Sequence, residues 1–328
     1  MILRMPPAAS LPAGPVYDLV VAFPDLAHLR AAARRRDWDT VSTTLTGLDD
    51  GDDLVIAART VAGTTGVTVM LDEALAAAGD GPDGVLPRSL LAYHHILTGW
   101  DIRSGYTAEH VSRSQFDRFH DHLRQAERLL IEAVALDPSH ALGWHLRLMT
   151  ARGLGLGQSE ARRRYDRLAT HRPHHFSAKS QLLQQLCPKW GGSWEAAHAF
   201  ADECRRGAEP GGLGALITVE AHVEHWATLG GAEQHTYWWR EGVRESLSEA
   251  AESSVLHPDF ERNLCWLTAH TDLAAAFSFS GQPELAAPHF EALGRFAAEY
   301  PWNSISGQPD ALWRRHRDAA LATAARKA

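Results

Sequence analysis

Two histidines three residues apart, in the run "EAHVEHW" (220–226), come closest to metal chemistry in this sequence. A zinc hydrolase sets two histidines one helical turn apart, with a glutamate beside the metal-bound water. Here the order is H-x-E-H, neither H-E-x-x-H nor its inverse. At about 100° per residue, Glu220 and Glu224 share one flank of a helix and His222 and His225 another, while Val219, Val223 and Trp226 face a core. The pair lacks its glutamate, and a third ligand could come from His94, His95, His174 or His175 by residue type only. No metal is therefore assigned, and His222 and His225 are carried as binding residues.

Aromatic and cationic side chains recur in "LAYHHILTGWDIRSGY" (91–106). Tyr93, Trp100 and Arg103 stand at helical spacings, and Trp100 with Arg103 is an i, i+3 pair. An arginine beside aromatics can hold a carboxylate or stack on a planar group, or lie over a packed tryptophan with no ligand at all. The third candidate is "CPKWGGSWEAAHAF" (187–200). Its backbone reading is a corner: Pro188 ends one helix, Gly191 and Gly192 reverse the chain at positive φ, and Ser193 caps the next helix, with Glu195 in its first turn. That leaves Lys189 and Trp190 without a backbone reason. Trp190 is expected to pack beneath the corner and Lys189 to cap carbonyls of the preceding helix, and both are kept as binding candidates.

Other runs carry less. "GLGLGQS" (153–159) lacks the strand that a nucleotide fingerprint follows and reads as a turn between helices. "LDDGDDL" (48–54) lacks the alternating order and closing glutamate of a calcium loop and reads as a turn before a helix. "HRPHH" (171–175) is a histidine-rich loop between repeats. There is no G-x-S-x-G elbow and no kinase signature. No catalytic residue and no cofactor is assigned, and the chain leans away from enzyme.

The 328 residues are 45% hydrophobic and 22% charged, enough for a folded core. A net charge of −8 argues against a nucleic-acid partner, because phosphate binding needs a concentrated basic face. Three separated cysteines give neither a disulfide framework nor a C-x-x-C site, and fit reduced thiols. Prolines interrupt the N-terminus, so no signal peptide is expected, and no run approaches the roughly 18 apolar residues of a membrane span. A cytoplasmic location and no membrane partner follow as expectations.

The elements that must position these residues read as helices. Only "DLVVAF" (18–23) and "GVTVML" (66–71) lean towards strand, and each can start or extend a helix. The run "GDGPDGVLP" (79–87) reads as a linker, giving an N-terminal helical segment over 1–80 and a repeat domain over 88–328. Within the latter, Ala126, Leu130, Ala133 and Pro138 are spaced four, three and five apart, and Ala161, Tyr165, Leu168 and Pro173 repeat that spacing. Ala196 and Phe200 lead to Pro210, and Ala286, Phe290 and Leu293 give a fourth copy. The small alanine lets a second helix approach the first, the larger residue fills the gap one turn on, and proline ends the helix.

These residues resemble the second-helix signature of a tetratricopeptide unit, with Trp144, Leu273, Ala274 and Phe277 as first-helix counterparts. Residues 90–230 further resemble a bacterial helical-repeat family of unknown function, through "GWDIRSGYTAEHVS", "ALDP", "PKWGGS" and "AHVEHW". The resemblance implies an all-α, tetratricopeptide-like superhelix of stacked antiparallel helix pairs, closed by the helix that begins "PDALWRRHRD", and it implies no activity. A scaffold binding a peptide or protein partner in a concave groove is the function expected. The alternative is an enzyme or small-ligand-binding protein with a polar and aromatic pocket in the middle repeats, with or without a metal. The oligomeric state is open.

Overall fold

A computed structural model describes residues 14–49, 51–104 and 110–327. Residues 105–109 of the "GWDIRSGYTAEHVS" segment, Asp50 of "LDDGDDL" and the proline-rich start lie outside it. The chain is all-α: among the described residues there is no strand, and the only β-type pairing is an isolated bridge between Val16 and Phe296. Both strand-leaning runs are helical. They become α1 (Leu19–Ala22) and the start of α5 (Val67–Ala78).

The chain divides into two compact units, Pro24–Gln185 and Leu186–Ala328, the second including the segment that ends at Phe23. The first unit holds α2 (Pro24–Arg34), α3 (Trp38–Thr46), α4 (Asp52–Ala62), α5, α6 (Val85–Arg103), α7 (Arg113–Leu136), α8 (Ala141–Gly153), α9 (Gln158–His171) and α10 (Phe176–Leu186, which ends one residue past the boundary). A 3-10 turn over Pro82–Gly84 leads into α6, so the "GDGPDGVLP" run is ordered, with Val85 and Pro87 buried. α7 begins with a full capping box, Ser112 and Gln115 each satisfying the other's backbone N–H. Its buried stripe, Phe119, Leu123, Ala126, Leu130 and Ala133, alternates steps of four and three. α8 is different, with residues 141–151 buried on every face. The turn between α8 and α9 is the "GLGLGQS" run. Asp52, at the start of α4, accepts from the N–H groups of Phe176 and Ser177 at 3.0 and 2.7 Å, and so caps α10 from across the unit.

One buried ion network ties α7, α8 and α9 together. Glu127 Oε1 receives Arg147 at 2.8 Å and Arg164 at 2.8 Å, and Thr150 Oγ donates to the other oxygen. Two guanidiniums on one carboxylate give the geometry that a buried charge requires.

The second unit holds α11 (Trp194–Arg206), α12 (Leu216–Thr228), α13 (Gly231–Thr236), α14 (Val243–Ser253), α15 (Trp266–Phe279), α16 (Pro283–Leu293), α17 (Trp302–Ile305) and α18 (Pro309–Lys327). The N-terminal segment joins it through the Val16 bridge, where Val16 N–H donates to Arg295 O at 2.8 Å, and through Phe23, whose ring meets Trp266 edge-on at 6.3 Å. α15, like α8, is buried almost throughout, and it packs against α12 and α16. All three cysteines are buried. Among the described residues no single helix is long and apolar enough to cross a membrane; α4 and α5 pass that test only as a pair bent by 114°.

Candidate functional site

The corner at 187–193 is built as its residues require. α10 stops at Leu186, and Pro188–Trp190 form a 3-10 turn. Gly191 takes φ +82°, while Gly192 earns its place differently: a Cβ there would lie 2.0 Å from Leu186 O. Ser193 Oγ accepts from Ala196 N–H at 3.1 Å and starts α11. Trp190 is half-buried. Lys189 departs from expectation. Its ammonium does not cap α10 but reaches Glu224 Oε2 of α12 at 2.7 Å.

α12 presents two chemically distinct faces, as its helical angles predict. On one, Glu220 and Glu224 are buried, and not solvated as charges on a surface helix would be. Glu224 is held at both oxygens, by Lys189 and by the Tyr300 hydroxyl, which donates to Oε1 at 2.8 Å. Beside them lies Asp272 of α15, only 2% exposed, whose Oδ1 has no hydrogen-bond partner. Burial first, and then the neighbouring charge of Glu220, push the Asp272 carboxyl well above the usual carboxylate range. The Tyr300 hydroxyl is pushed up by burial and then by Glu224, Asp272 and Glu220.

The other face is a closed hydrogen-bond chain. Ser246 Oγ of α14 lies 2.8 Å from Val243 O and 3.2 Å from His222 Nε2, with one hydroxyl proton to share between them. His222 Nδ1 shares a hydrogen bond with the Tyr237 hydroxyl at 2.8 Å. Next to this chain, His198 Nε2 of α11 lies 2.9 Å from His225 Nδ1, and the His225 ring stacks on Trp194 at 4.4 Å and 8°. Burial, then the neighbouring imidazoles, holds His222 down to about 3; burial, then His198 and Arg240, holds His225 down to about 4. A cavity of about 310 Å³ opens beside this chain, lined by His198, Thr218, His222 and Ser246 among others. Among the described residues no group of three or more His, Cys, Asp or Glu is placed to hold a metal ion.

The seven residues singled out from sequence fall in both units. Tyr93, Trp100 and Arg103 lie on α6 in the first. Tyr93 is a core residue at 2% exposure. Trp100 meets Phe119 edge-on at 4.8 Å, and the guanidiniums of Arg103 and Arg152 lie 5.6 and 5.7 Å from its ring centre. Lys189, Trp190, His222 and His225 lie in the second unit, where Lys189 belongs to the acidic face of α12 and the histidines to the other. His175 of the "HRPHH" loop is not a surface ligand. It is buried, pairs with Asp52 at 3.0 Å and stacks on His145 at 5.7 Å.

Five contributors were not singled out: His198, Tyr237, Ser246, Asp272 and Tyr300. Only Asp272 left a trace in the sequence, as the lone acid in the apolar run "WLTAHTDLAAAF". Comparison of the chain with protein-family models, with curated proteins and with solved structures returns no match.

Proposed function

We propose that this chain is a helical-repeat interaction scaffold, a tetratricopeptide-like stack of antiparallel helix pairs that binds a peptide or protein partner, and that the second unit does so across α12 and α15. The repeat reading is supported by Ala126, Ala161 and Ala286, all with no exposed surface, and by the burial of Leu130, Tyr165 and Phe290 one turn on. The binding reading is carried by one observation: buried polar side chains gather on the first helix of each pair. α6 holds Arg88 and Ser89, α8 holds His145, Arg147 and Thr150, α12 holds Thr218, Glu220 and Glu224, and α15 holds His270, Thr271 and Asp272. The second helices α7 and α14 bury only apolar residues, and α9 and α16 add only Arg164 and His289. Amphipathic second helices serve packing, whereas polar groups held inside a helix layer cost stability unless they are paired, so the first helices are the ones with polar chemistry to offer a bound chain.

Panning a random peptide library on the immobilised intact chain tests the reading. Convergence on one motif is expected, with binding weakened by Lys189→Glu and unchanged by Glu252→Ala on the exposed face of α14. A library that fails to converge overturns it.

A second reading, an enzyme or small-ligand-binding protein, is favoured by the Asp272 carboxyl, pushed up by burial and by Glu220, since paired carboxyls with separated affinities for a proton can act as acid and base. A metabolite that raises Tm when no peptide motif emerges would favour it over the scaffold.

A further inference from the structure

We infer that the first unit holds a binding site for a small amphipathic cation, an organic ammonium whose apolar body lies between α3 and α5 and whose charge is met by Asp83 and Asp137. The site is separate from the peptide surface proposed on α12 and α15, and it does not rest on that reading.

Three observations carry it. The first is space. A cavity of about 670 Å³, in the range that takes a small molecule, is lined from α3, from α5 and from three corners between helices. Those corners are the runs "LDDGDDL", "GDGPDGVLP" and "ALDP", so three stretches that look like plain turns in the sequence share one cavity. α3 contributes Trp38, Ser42, Leu45 and Thr46, a single helical face. α5 contributes only alanines, Ala74, Ala77 and Ala78, and these small side chains set the width of the cavity. The buried side chains of Leu45, Leu54 and Val85 make its wall apolar.

The second observation is charge. Asp83 and Asp137 line the cavity, and no lysine or arginine is among its described lining residues. Asp83 is exposed. Asp137 accepts the N–H and the hydroxyl of Ser139 at Oδ1, at 2.9 and 2.6 Å, which leaves Oδ2 for another donor. Burial opposes ionisation there, but the hydroxyl and N–H of Ser139, with His140 and His171 nearby, hold the carboxyl below the usual carboxylate range, so Asp137 is an anion at neutral pH. The third is the indole of half-buried Trp38, a face that holds an ammonium as well as an apolar group. His140, also in the lining, is engaged through Nε2 with Ser89 Oγ at 2.9 Å. An anion would meet two carboxylates here with no lysine or arginine to offset them. A cation without an apolar body would leave the wall between α3 and α5 uncovered, and a ligand with both parts matches both.

The experiment is titration calorimetry at pH 7 on the intact chain with n-octylammonium, 1-octanol and octanoate, which share one chain length and differ in charge. Ethanolamine serves as a charged head without a tail, and a blocked leucyl-leucyl-lysine peptide as the same chemistry on a polypeptide. Octylammonium is expected to saturate the chain below about 1 mM, with octanol about fivefold weaker and octanoate more than about tenfold weaker. Asp83→Asn combined with Asp137→Asn is expected to bring octylammonium down to the level of octanol. Asp83→Asn alone, which leaves the Ser139 bonds to Asp137 in place, is expected to weaken octylammonium by about two- to threefold. Ala77→Phe, which fills the cavity from α5, is expected to weaken octylammonium and octanol alike by about tenfold or more. Asp83 and Ala77 are exposed, so neither change disturbs the core, and melting curves check this. Octanol, octanoate or ethanolamine binding as tightly as octylammonium would overturn the inference. So would failure of octylammonium to saturate, or wild-type binding in Asp83→Asn or in Ala77→Phe. The lysine peptide binding as tightly as octylammonium would overturn the free amine as occupant.

Discussion

Lys189 Nζ lies 2.7 Å from Glu224 Oε2, joining a corner between helices to the buried face of α12. The contact gives the lysine of "PKWGGS" a role that its backbone setting does not suggest, as the counter-charge of a carboxylate only 7% exposed.

Removing that counter-charge should be felt. Lys189→Met is expected to destabilise the chain by about 1–3 kcal/mol, because Glu224 keeps a buried charge with one fewer donor. Lys189→Met with Glu224→Gln should recover much of the loss, which urea denaturation of the single and double variants would show.

The two glycines of the same corner should respond differently to alanine. Gly191 has positive φ and open space around it, so Gly191→Ala should cost only about 1–2 kcal/mol. Gly192→Ala would put a methyl group onto the backbone of Leu186, and either the turn or the end of α10 must move. It should be the more damaging change in thermal melts, and far-UV circular dichroism would report any loss of helix.

The Glu127 network offers a test in the first unit. Arg164 is 3% exposed in its side chain and binds Glu127 at 2.8 Å. Arg164→Met removes one partner of a buried charge and should cost about 3–5 kcal/mol, while a surface change such as Arg162→Met should cost little. Denaturant midpoints of the two variants separate these outcomes.

The seam alanines should not tolerate bulk. Ala161 and Ala286 have no exposed surface, and leucine at either should cost about 1–3 kcal/mol by overpacking, against a near-neutral change at an exposed position such as Glu252. Parallel melts of the three variants would check this.

Acid should destabilise the chain through its histidines, and Asp272 should act in the opposite sense. His222, His225, His270 and His289 are held down to between about 3 and 4, by burial first and then by neighbouring imidazoles or arginines. The unfolded chain protonates them near 6.5, so below that pH it binds more protons than the folded chain. Stability should therefore fall from about pH 6.5 towards about pH 3 and level off once the folded histidines also protonate. Asp272 is raised, so the folded chain binds its proton above the unfolded value, and its contribution is lost as pH rises from about 4. Asp272→Asn should accordingly raise Tm at pH 7, by about 2–4 °C for each kcal/mol recovered, with a smaller gain at pH 4. Scanning calorimetry across pH 4–8 on wild type and Asp272→Asn measures both trends.

What the sequence determined by itself was local. Apolar steps of four and three placed the stripe of α7, proline and glycine placed the corner at 187–193, Ser193 announced its cap, and the angles of α12 separated Glu220 and Glu224 from His222 and His225. These features depend on backbone geometry within a few residues, which side-chain type reports directly. The tertiary structure alone decided what each face meets. Helical angle says that Glu220 and Glu224 share a flank but not that Asp272 and Tyr300 lie against it, nor that Lys189 turns towards Glu224 and not back to its own helix. It equally could not say that His198 and Ser246 would complete the histidine face. Those meetings join residues on different elements of the second unit. Burial there, which no local pattern encodes, is what pushes the Asp272 carboxyl up and leaves its Oδ1 without a hydrogen-bond partner.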